Sequence, residues 1–143
     1  MKLIDLNLLI YAVNRDAPYH HAARKWWEEC LSNTEPVALA WVVILGFLRI
    51  TTHGRVMPHP LTSDQAFEIV DDWLKQPAVN VVTPTEHHWD IFRNIISPLG
   101  TAGNLTMDAH LAALSMEHGA TLFTTDNDFA RFKTVKWINP LSQ

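Results

Sequence analysis

Short apolar runs alternate along this chain with longer stretches in which apolar residues recur at helical spacing. Apolar runs bounded by turn residues predict buried strands, whereas apolar residues at i, i+3 and i+4 predict amphipathic helices. The predicted strands are residues 2–5, 37–40, 79–82 and 121–124, with a possible edge strand at 135–138. Strands that alternate with helices favour a parallel sheet covered by helices. The sequence therefore predicts an α/β fold, a three-layer α/β/α sandwich around a central parallel sheet of about four to five strands.

The helices are predicted from the same periodicity and from residues that start or stop helices. Thr62 or Ser63, Thr85 and Thr106 are predicted caps, because their hydroxyl groups can accept backbone N–H groups at a helix start. Gly119 is predicted to end the helix that follows Thr106. The predicted helices are residues 6–12, 19–31, 41–50, 63–76, 85–96, 107–118 and a short one at 126–132.

Length and composition limit the possible classes of protein. With 143 residues, 48% of them apolar, the chain can build one core but not two, so we expect a single domain over residues 1–143. Cys30 is the only cysteine, which excludes an internal disulfide and a thiolate zinc site. We expect a cytoplasmic protein without membrane contact, because no signal pattern or membrane span of roughly 20 apolar residues is present. The net charge of −4 requires any nucleic-acid contact to be local.

Four aspartates are the candidate functional residues: Asp5, Asp108, Asp126 and Asp128. Asp5 and Asp126 follow predicted strands, and open α/β sheets bind ligands at the carboxyl ends of their strands. Carboxylates that converge there repel one another, and a hard divalent cation such as Mg²⁺ or Mn²⁺ would relieve that repulsion. Taken singly, Asp108 and Asp126 are better explained as helix caps. Their joint placement leaves the capping and metal-site interpretations about equally supported.

Four segments, in order, resemble PIN-domain nucleases: 3–12 (LIDLNLLIYA), 41–52 (WVVILGFLRITT), 107–113 (MDAHLAA) and 124–132 (TTDNDFARF). Within that family the chain is most similar to the VapC-type toxins of bacterial toxin–antitoxin pairs, in particular to the mycobacterial subgroup. The resemblance implies a PIN-like fold and an endoribonuclease that depends on Mg²⁺ or Mn²⁺. It also implies a homodimer that inhibits growth or translation until a small VapB-type antitoxin binds it.

The resemblance also assigns roles to the acids. Asp5 matches the first acid of the family, Asp108 the third and Asp126 the fourth, and Asp128 is an additional carboxylate in the same motif. We expect Asp5 and Asp108 to be direct metal ligands, and Asp126 and Asp128 to act directly or through water. Many members carry a glutamate where this chain has Gly46. Asp128 or a water molecule is the expected substitute.

Other residues are candidates for supporting roles. Asn7 could orient Asp5 or cap the helix that follows, and Thr125 is equally ambiguous. Arg49, His53 and Arg55, with His59 after them, could bind RNA phosphates or lie in a solvated loop. The apolar helices at 26–31 and 41–50 are expected to leave a surface for a partner.

Two alternatives remain at this stage. A catalytically weak PIN fold retained as an interaction module is compatible with Gly46. A phosphorelay receiver domain fits less well, because Asp5 stands alone where receivers carry an acidic pair, and the strand at 79–82 runs into Thr83 and Pro84 instead of an acceptor aspartate.

Overall fold

The computed structural model describes residues 1–142 and shows a five-stranded parallel sheet in the order β3-β2-β1-β4-β5. The strands are β1 (Lys2–Ile4), β2 (Val37–Ala40), β3 (Val79–Val82), β4 (Thr121–Phe123) and β5 (Trp137–Ile138). The helices flanking it are α1 (Leu6–Val13), α2 (His20–Ser32), α3 (Trp41–Thr51), α4 (Ser63–Lys75), α5 (His88–Ile96) and α6 (Thr106–Glu117). Short 3₁₀ helices occupy Ser97–Leu99, Gly103–Leu105 and Asn127–Arg131. The predicted α/β fold with a parallel sheet is confirmed.

The central position of β1 explains why the chain begins with a strand so short and so apolar. β1 pairs in parallel with both β2 and β4, and its Leu3 and Ile4 are buried. All four residues of β2 are buried as well, which is typical of parallel strands covered on both faces. The N–H group of Asp5 donates to the carbonyl of Phe123 at 2.9 Å, so the carboxyl ends of β1 and β4 lie side by side.

The strand order reverses next to β1. From β1 the chain proceeds to β2 and β3 on one side, and it then returns to β4 and β5 on the other side. In open parallel sheets such a reversal leaves a crevice outside the carboxyl ends of the two strands that flank it. The topology therefore places a crevice at the ends of β1 and β4, where Asp5 and Asp126 follow their strands.

An aromatic cluster in the core corrects one prediction about partner surfaces. On α2, Trp27 is only 3% exposed and meets Trp73 edge-on at 5.6 Å, while Trp26 stacks on Phe123 at 5.6 Å between ring centroids. The expected exposed patch at 26–31 is therefore wrong, because this face of α2 is used for packing. On α3, by contrast, Trp41 and Leu45 are 51% and 59% exposed.

Among the predicted helices, one cap is confirmed and three other details differ from the sequence prediction. The predicted cap Thr62 is confirmed and forms a capping box with Gln65. Thr85 does not cap α5, which begins three residues later. Its hydroxyl accepts the N–H group of His87 at 3.2 Å in the turn before the helix, and it donates to Glu117 at 2.7 Å. Thr106 is the first residue of α6 and not its cap, and its hydroxyl donates to the carbonyl of Gly103 at 2.8 Å. The short helix predicted at 126–132 is the 3₁₀ helix Asn127–Arg131.

None of the helices within residues 1–142 combines the length and the apolar character that crossing a bilayer requires.

Candidate active site

A cleft opens at the reversal of the strand order, between the carboxyl ends of β1 and β4. It is lined by Asp5, Leu6, Asn7, Ile10, Tyr11, Ile50, Asp108 and Asp126. Two of the acids come from strand ends and Asp108 comes from the first turn of α6, so three distant segments of the chain meet here. The cleft brings together three of the four acids that sequence analysis selected.

Three of the aspartates are close enough to share one ion. Asp108, Asp126 and Asp128 each offer a carboxylate oxygen, and these oxygens all lie within 4.8 Å of one another. Carboxylate oxygens are hard ligands of the kind that Mg²⁺ and Mn²⁺ prefer. The donor set therefore fits a divalent cation of this class. Asp5 lines the same cleft without belonging to this group of three, and the division into direct and water-mediated ligands stays a prediction.

Asp5 is held in one orientation by hydrogen bonds to both of its oxygens. Its Oδ1 accepts the N–H group of Leu6 at 2.7 Å, which makes Asp5 the N-cap of α1. Its Oδ2 accepts the hydroxyl of Thr124 at 2.7 Å and, more weakly, the side-chain amide of Asn7 at 3.4 Å. The carboxylate is thus fixed before any ligand binds, as a preorganised site requires.

Asn7 connects the end of β1 to the segment after β4. Its side-chain amide donates to the Thr124 hydroxyl at 3.2 Å, and its Oδ1 accepts the backbone N–H group of Thr125 at 3.3 Å. Of the two roles considered for Asn7, the geometry fits the one in which it helps to orient Asp5, since α1 already has Asp5 as its cap. Thr125 takes part through its backbone.

Thr124 is the residue that sequence analysis missed. It is completely buried, and its hydroxyl donates to Asp5 while accepting the N–H group of Asp126 at 3.0 Å. One hydroxyl thus links the first and the fourth acid of the site. The sequence did contain a signal for this role: Thr124 is a polar residue at the end of the apolar run 121–123, and a hydroxyl buried there needs hydrogen-bond partners.

Burial and the charges of neighbouring acids raise the pKa values of two of the aspartates. Burial, followed by the negative charges of Asp5, Asp126 and Asp128, raises the pKa of Asp108 to about 6. Burial also raises the pKa of Asp5; hydrogen bonds from Thr124 and Leu6 oppose that shift, and the charge of Asp126 adds to it. A cation between the carboxylates would remove this cost, because an opposite charge favours their ionised form.

Comparison with known proteins agrees with the fold. The sequence model of the PIN domain matches residues 2–135. The chain is 41% identical over 140 residues to ribonuclease VapC37 of Mycobacterium tuberculosis, covering 98% of this chain and 97% of that protein. It is 40% identical to ribonuclease VapC33 of the same species over 143 residues, which is 100% of both chains.

The chain belongs to the PIN domain family.

Solved structures of toxin–antitoxin proteins share the fold of this PIN domain. VapBC2 from Rickettsia felis, bound to a DNA fragment from its promoter, superposes with a TM-score of 0.71 at 16% identity, covering 96% of this chain and 97% of that one. VapBC-1 from nontypeable Haemophilus influenzae gives a TM-score of 0.68 at 19% identity, covering 99% and 98%. Membership of the PIN family leaves the receiver-domain alternative without support.

Gly46 of this PIN domain lies where the family comparison led us to expect a glutamate. It is buried on α3, and a β-carbon built there would lie 2.7 Å from Cδ2 of Leu6. No side chain fits at this position while Leu6 keeps its place. Asp128, exposed and within the group of three acids, remains the predicted substitute for the missing charge.

The predicted RNA-binding residues lie around the end of α3. Arg49 is exposed in the last turn of α3, next to Ile50, which lines the cleft. His53 and Arg55 are exposed in the loop that follows, where His53 Nδ1 accepts the Arg55 N–H group at 3.1 Å. His59 pairs with Asp16 at 3.0 Å. The contact of these side chains with RNA stays a prediction.

A hydrogen-bonded chain between α5 and α6 was also missed by sequence analysis. Glu117, whose side chain is fully buried, bonds to Nδ1 of His88, and Nε2 of His88 shares a hydrogen bond of 2.9 Å with Nδ1 of His110. Burial would raise the pKa of Glu117, but hydrogen bonds from His88 and Thr85 outweigh it and hold that pKa below its usual range. These hydrogen bonds connect α5 to α6, the helix that carries Asp108.

Proposed function

We propose that this protein is a metal-dependent endoribonuclease of the VapC type, in which residues 1–143 act as one PIN domain. The observation that carries the proposal is the convergence of the Asp108, Asp126 and Asp128 carboxylates within 4.8 Å, beside the cleft that Asp5, Asp108 and Asp126 line. The curated relatives at about 40% identity are named ribonucleases, which supports RNA as the substrate class.

The acids would hold the cation, with Mg²⁺ the first choice and Mn²⁺ the second. We propose Asp5 and Asp108 as direct ligands, with Asp126 and Asp128 binding directly or through water. When bound, such a cation lowers the pKa of a coordinated water and stabilises the negative charge that develops on phosphate oxygens. Thr124 would keep the Asp5 carboxylate aimed at the cleft, and Asn7 would support that arrangement by donating to the same Asp5 oxygen and to the Thr124 hydroxyl.

The substrate would approach across the end of α3. Arg49, His53 and Arg55 are exposed there and can neutralise phosphates that flank the scissile bond, which positions a strand without selecting its sequence. A local group of basic residues is consistent with the net charge of −4, because a protein with that net charge does not attract RNA over its whole surface.

We propose that a VapB-type antitoxin regulates this activity in the cytoplasm and that the toxin forms a homodimer. Solved relatives in fold include VapBC complexes, which supports an antitoxin partner. Trp41 and Leu45 lie one turn apart on the exposed face of α3 and offer an apolar surface for an amphipathic helix. An arginine or lysine of the partner, placed among the carboxylates, would relieve the repulsion that, after burial, raises the pKa of Asp108, and it would exclude the metal.

Two substitutions test the catalytic proposal. Asp5→Asn and Asp108→Asn should each abolish Mg²⁺-dependent cleavage of RNA, because the amide keeps the shape and loses the charge that binds the cation. Asp90→Asn is the matched control, since Asp90 also lies in the first turn of a helix, α5, but is exposed and outside the cleft. Chelation should stop cleavage by the unaltered protein, and added Mg²⁺ or Mn²⁺ should restore it.

A second candidate function, an interaction module with little catalysis, is favoured by Gly46, which denies the site one carboxylate. The assay of metal-dependent RNA cleavage distinguishes the nuclease from the interaction module. An unaltered protein that binds its antitoxin and leaves RNA intact at all metal concentrations supports the interaction module, whereas full cleavage by both aspartate variants refutes the site assignment.

A further inference from the structure

A separate pocket adjoins the acidic cleft at the carboxyl ends of β4 and β5. This β4–β5 pocket has a volume of about 230 Å³ and is lined by Tyr19, Thr125, Asn139, Leu141 and Ser142. Thr125 directly precedes Asp126, which lines the acidic cleft, and adjacent residues lie only about 3.8 Å apart. The β4–β5 pocket and the acidic cleft are therefore neighbours along the same edge of the sheet.

Tyr19 connects the β4–β5 pocket to the cleft through an aromatic contact. It is 54% exposed, and its ring lies 5.7 Å from the ring of Tyr11, which lines the acidic cleft. His20, the next residue, is buried, and its Nδ1 donates to the carbonyl of Tyr11 at 2.9 Å. This hydrogen bond fastens the start of α2 to α1, and so the fold holds the Tyr19 ring beside the cleft.

The lining of the β4–β5 pocket is uncharged and combines an aromatic ring with amide and hydroxyl groups. Cationic side chains are prominent among phosphate ligands, and the five lining residues include none, so the pocket suits a neutral group. Oδ1 of Asn139 accepts the N–H group of Leu141 at 3.0 Å, which orients the side-chain amide with its two N–H donors. Proteins recognise unpaired RNA bases by this combination of aromatic stacking and hydrogen bonds to the base edge.

The size of the β4–β5 pocket limits its ligand. Pockets for drug-sized molecules have volumes of about 300 to 1,000 Å³. At about 230 Å³ the β4–β5 pocket is smaller, and it suits a single flat ring system rather than a whole nucleotide.

The β4–β5 pocket and the predicted phosphate contacts lie on opposite sides of the acids. Arg49 is in the last turn of α3, the helix that follows β2. In the sheet order, β2 and β5 flank the β1–β4 cleft from opposite sides. A single strand of RNA that contacts Arg49 and passes the acids would therefore bring its next nucleotide to the β4–β5 pocket.

We propose that the β4–β5 pocket binds one unpaired base of the RNA substrate, stacked on Tyr19 and hydrogen-bonded by Asn139, in a nucleotide next to the scissile phosphate. The proposal rests on the proposed function for RNA as the substrate, and it adds the residues that select the base beside the cut. Tyr19 and Asn139 contact the substrate away from the reacting atoms, so they determine specificity and affinity.

Stacking is tested with short single-stranded RNAs that carry 2-aminopurine at successive positions, because the fluorescence of this base falls when it stacks on a ring. The full chain and its variants are compared in an Asp108→Asn background, in which RNA is not cleaved. We expect Tyr19→Ala to weaken RNA binding about tenfold and to reduce the quenching, whereas Tyr19→Phe keeps the ring and should preserve both.

Phe67→Ala is the matched control, because Phe67 is 50% exposed on α4 and lines neither the β4–β5 pocket nor the cleft. Unchanged binding in Tyr19→Ala, or equal losses in Tyr19→Ala and Phe67→Ala, would overturn the proposal. Loss of antitoxin binding with unchanged RNA binding would assign the β4–β5 pocket to the protein partner and would overturn it as well. Circular dichroism establishes folding, and Tyr19→Leu, which keeps an apolar contact without a ring, replaces Tyr19→Ala if that variant does not fold.

Base selection is tested by sequencing the ends that the chain with an intact Asp108 produces from RNA of mixed sequence in Mg²⁺. We expect a preferred base at one position beside the cut, and we expect Asn139→Asp to change that preference. Aspartate keeps the acceptor for the Leu141 N–H group and loses the two N–H donors. Cleavage with the same preference in Asn139→Asp and Tyr19→Ala would overturn the pocket assignment and leave the proposed function intact. A chain that binds RNA through Tyr19 without cleaving it would refute the proposed function alone.

Discussion

Replacing Asp108 by asparagine should make the metal-free protein more stable while it removes metal binding. Burial and the charges of Asp5, Asp126 and Asp128 raise the pKa of Asp108 from 3.8 to about 6. A carboxyl group with a raised pKa in the folded state opposes folding whenever it is ionised. An amide carries no charge at any pH, so the substitution removes this cost.

The size of the effect follows from the pKa shift. A rise from 3.8 to about 6 corresponds to about 3 kcal/mol at most. Asp108 is only partly buried and solvent screens its charge, so we expect about 1 to 2 kcal/mol, or roughly 3 to 6 °C in Tm. The folded state binds the proton more tightly, so the cost is absent below about pH 4, grows as the pH rises from about 4 to about 6, and is constant above that. The gain of Asp108→Asn should therefore be full at pH 8 and vanish near pH 4.

Thermal unfolding in the presence of a chelator measures this gain. Asp90→Asn is again the matched control, because it lies in the first turn of α5 without acidic neighbours in a cleft. If Asp108 served mainly to cap α6 or to complement its dipole, its replacement would instead cost about 0.3 to 1 kcal/mol. A variant that is no more stable than the unaltered protein at pH 8 would refute the repulsion argument.

Three further predictions concern other parts of the molecule. Thr124→Val should lower the free energy of unfolding in urea by about 1 to 3 kcal/mol and slow RNA cleavage, because it removes a buried hydroxyl that links two acids. Thr125→Val is the control, and equal effects of the two substitutions would contradict this role of Thr124. Glu117→Gln should lower the free energy of unfolding by about 1 to 3 kcal/mol at pH 7, and this loss should shrink as the pH falls through the depressed pKa of Glu117. A loss of stability that does not depend on pH would contradict the role of the Glu117 charge. Leu45→Arg with Trp41→Ala should weaken co-purification with the antitoxin without lowering Tm, since both side chains are exposed; undiminished binding would place the partner elsewhere.

The local pattern of the sequence was sufficient for the fold. Strand and helix periodicities depend on neighbours along the chain, and the run Val37–Ala40 is apolar at every position because both faces of β2 are covered. The position of Asp5 after β1 was also predictable, because the apolar run that forms β1 ends just before it. That Asp108 joins Asp126 and Asp128 could be expected only from the rule that parallel strands end at one edge, and from the family resemblance.

Contacts between distant segments were beyond the reach of the sequence. Thr85 looked like a cap, but α5 begins three residues later and the Thr85 hydroxyl donates to Glu117, 32 positions away. Trp27 looked available to a partner, but it packs against Trp73 on another helix. In each case the local signal was correct about chemistry and wrong about the partner, because a hydroxyl or an indole ring has several possible partners and the fold selects one.

The sequence by itself determined an α/β chain with acids at strand ends, since periodicity and residue type are local properties. The tertiary structure alone decided which groups hold those acids and how closely they meet. Thr124 is bonded to Asp5 across 119 positions, and Leu6 closes the space above Gly46 on another helix. Both contacts join residues that are far apart along the chain, and no periodic pattern in the sequence indicates that packing brings them together. The electrostatic interactions of the site depend on the distances that result from this packing.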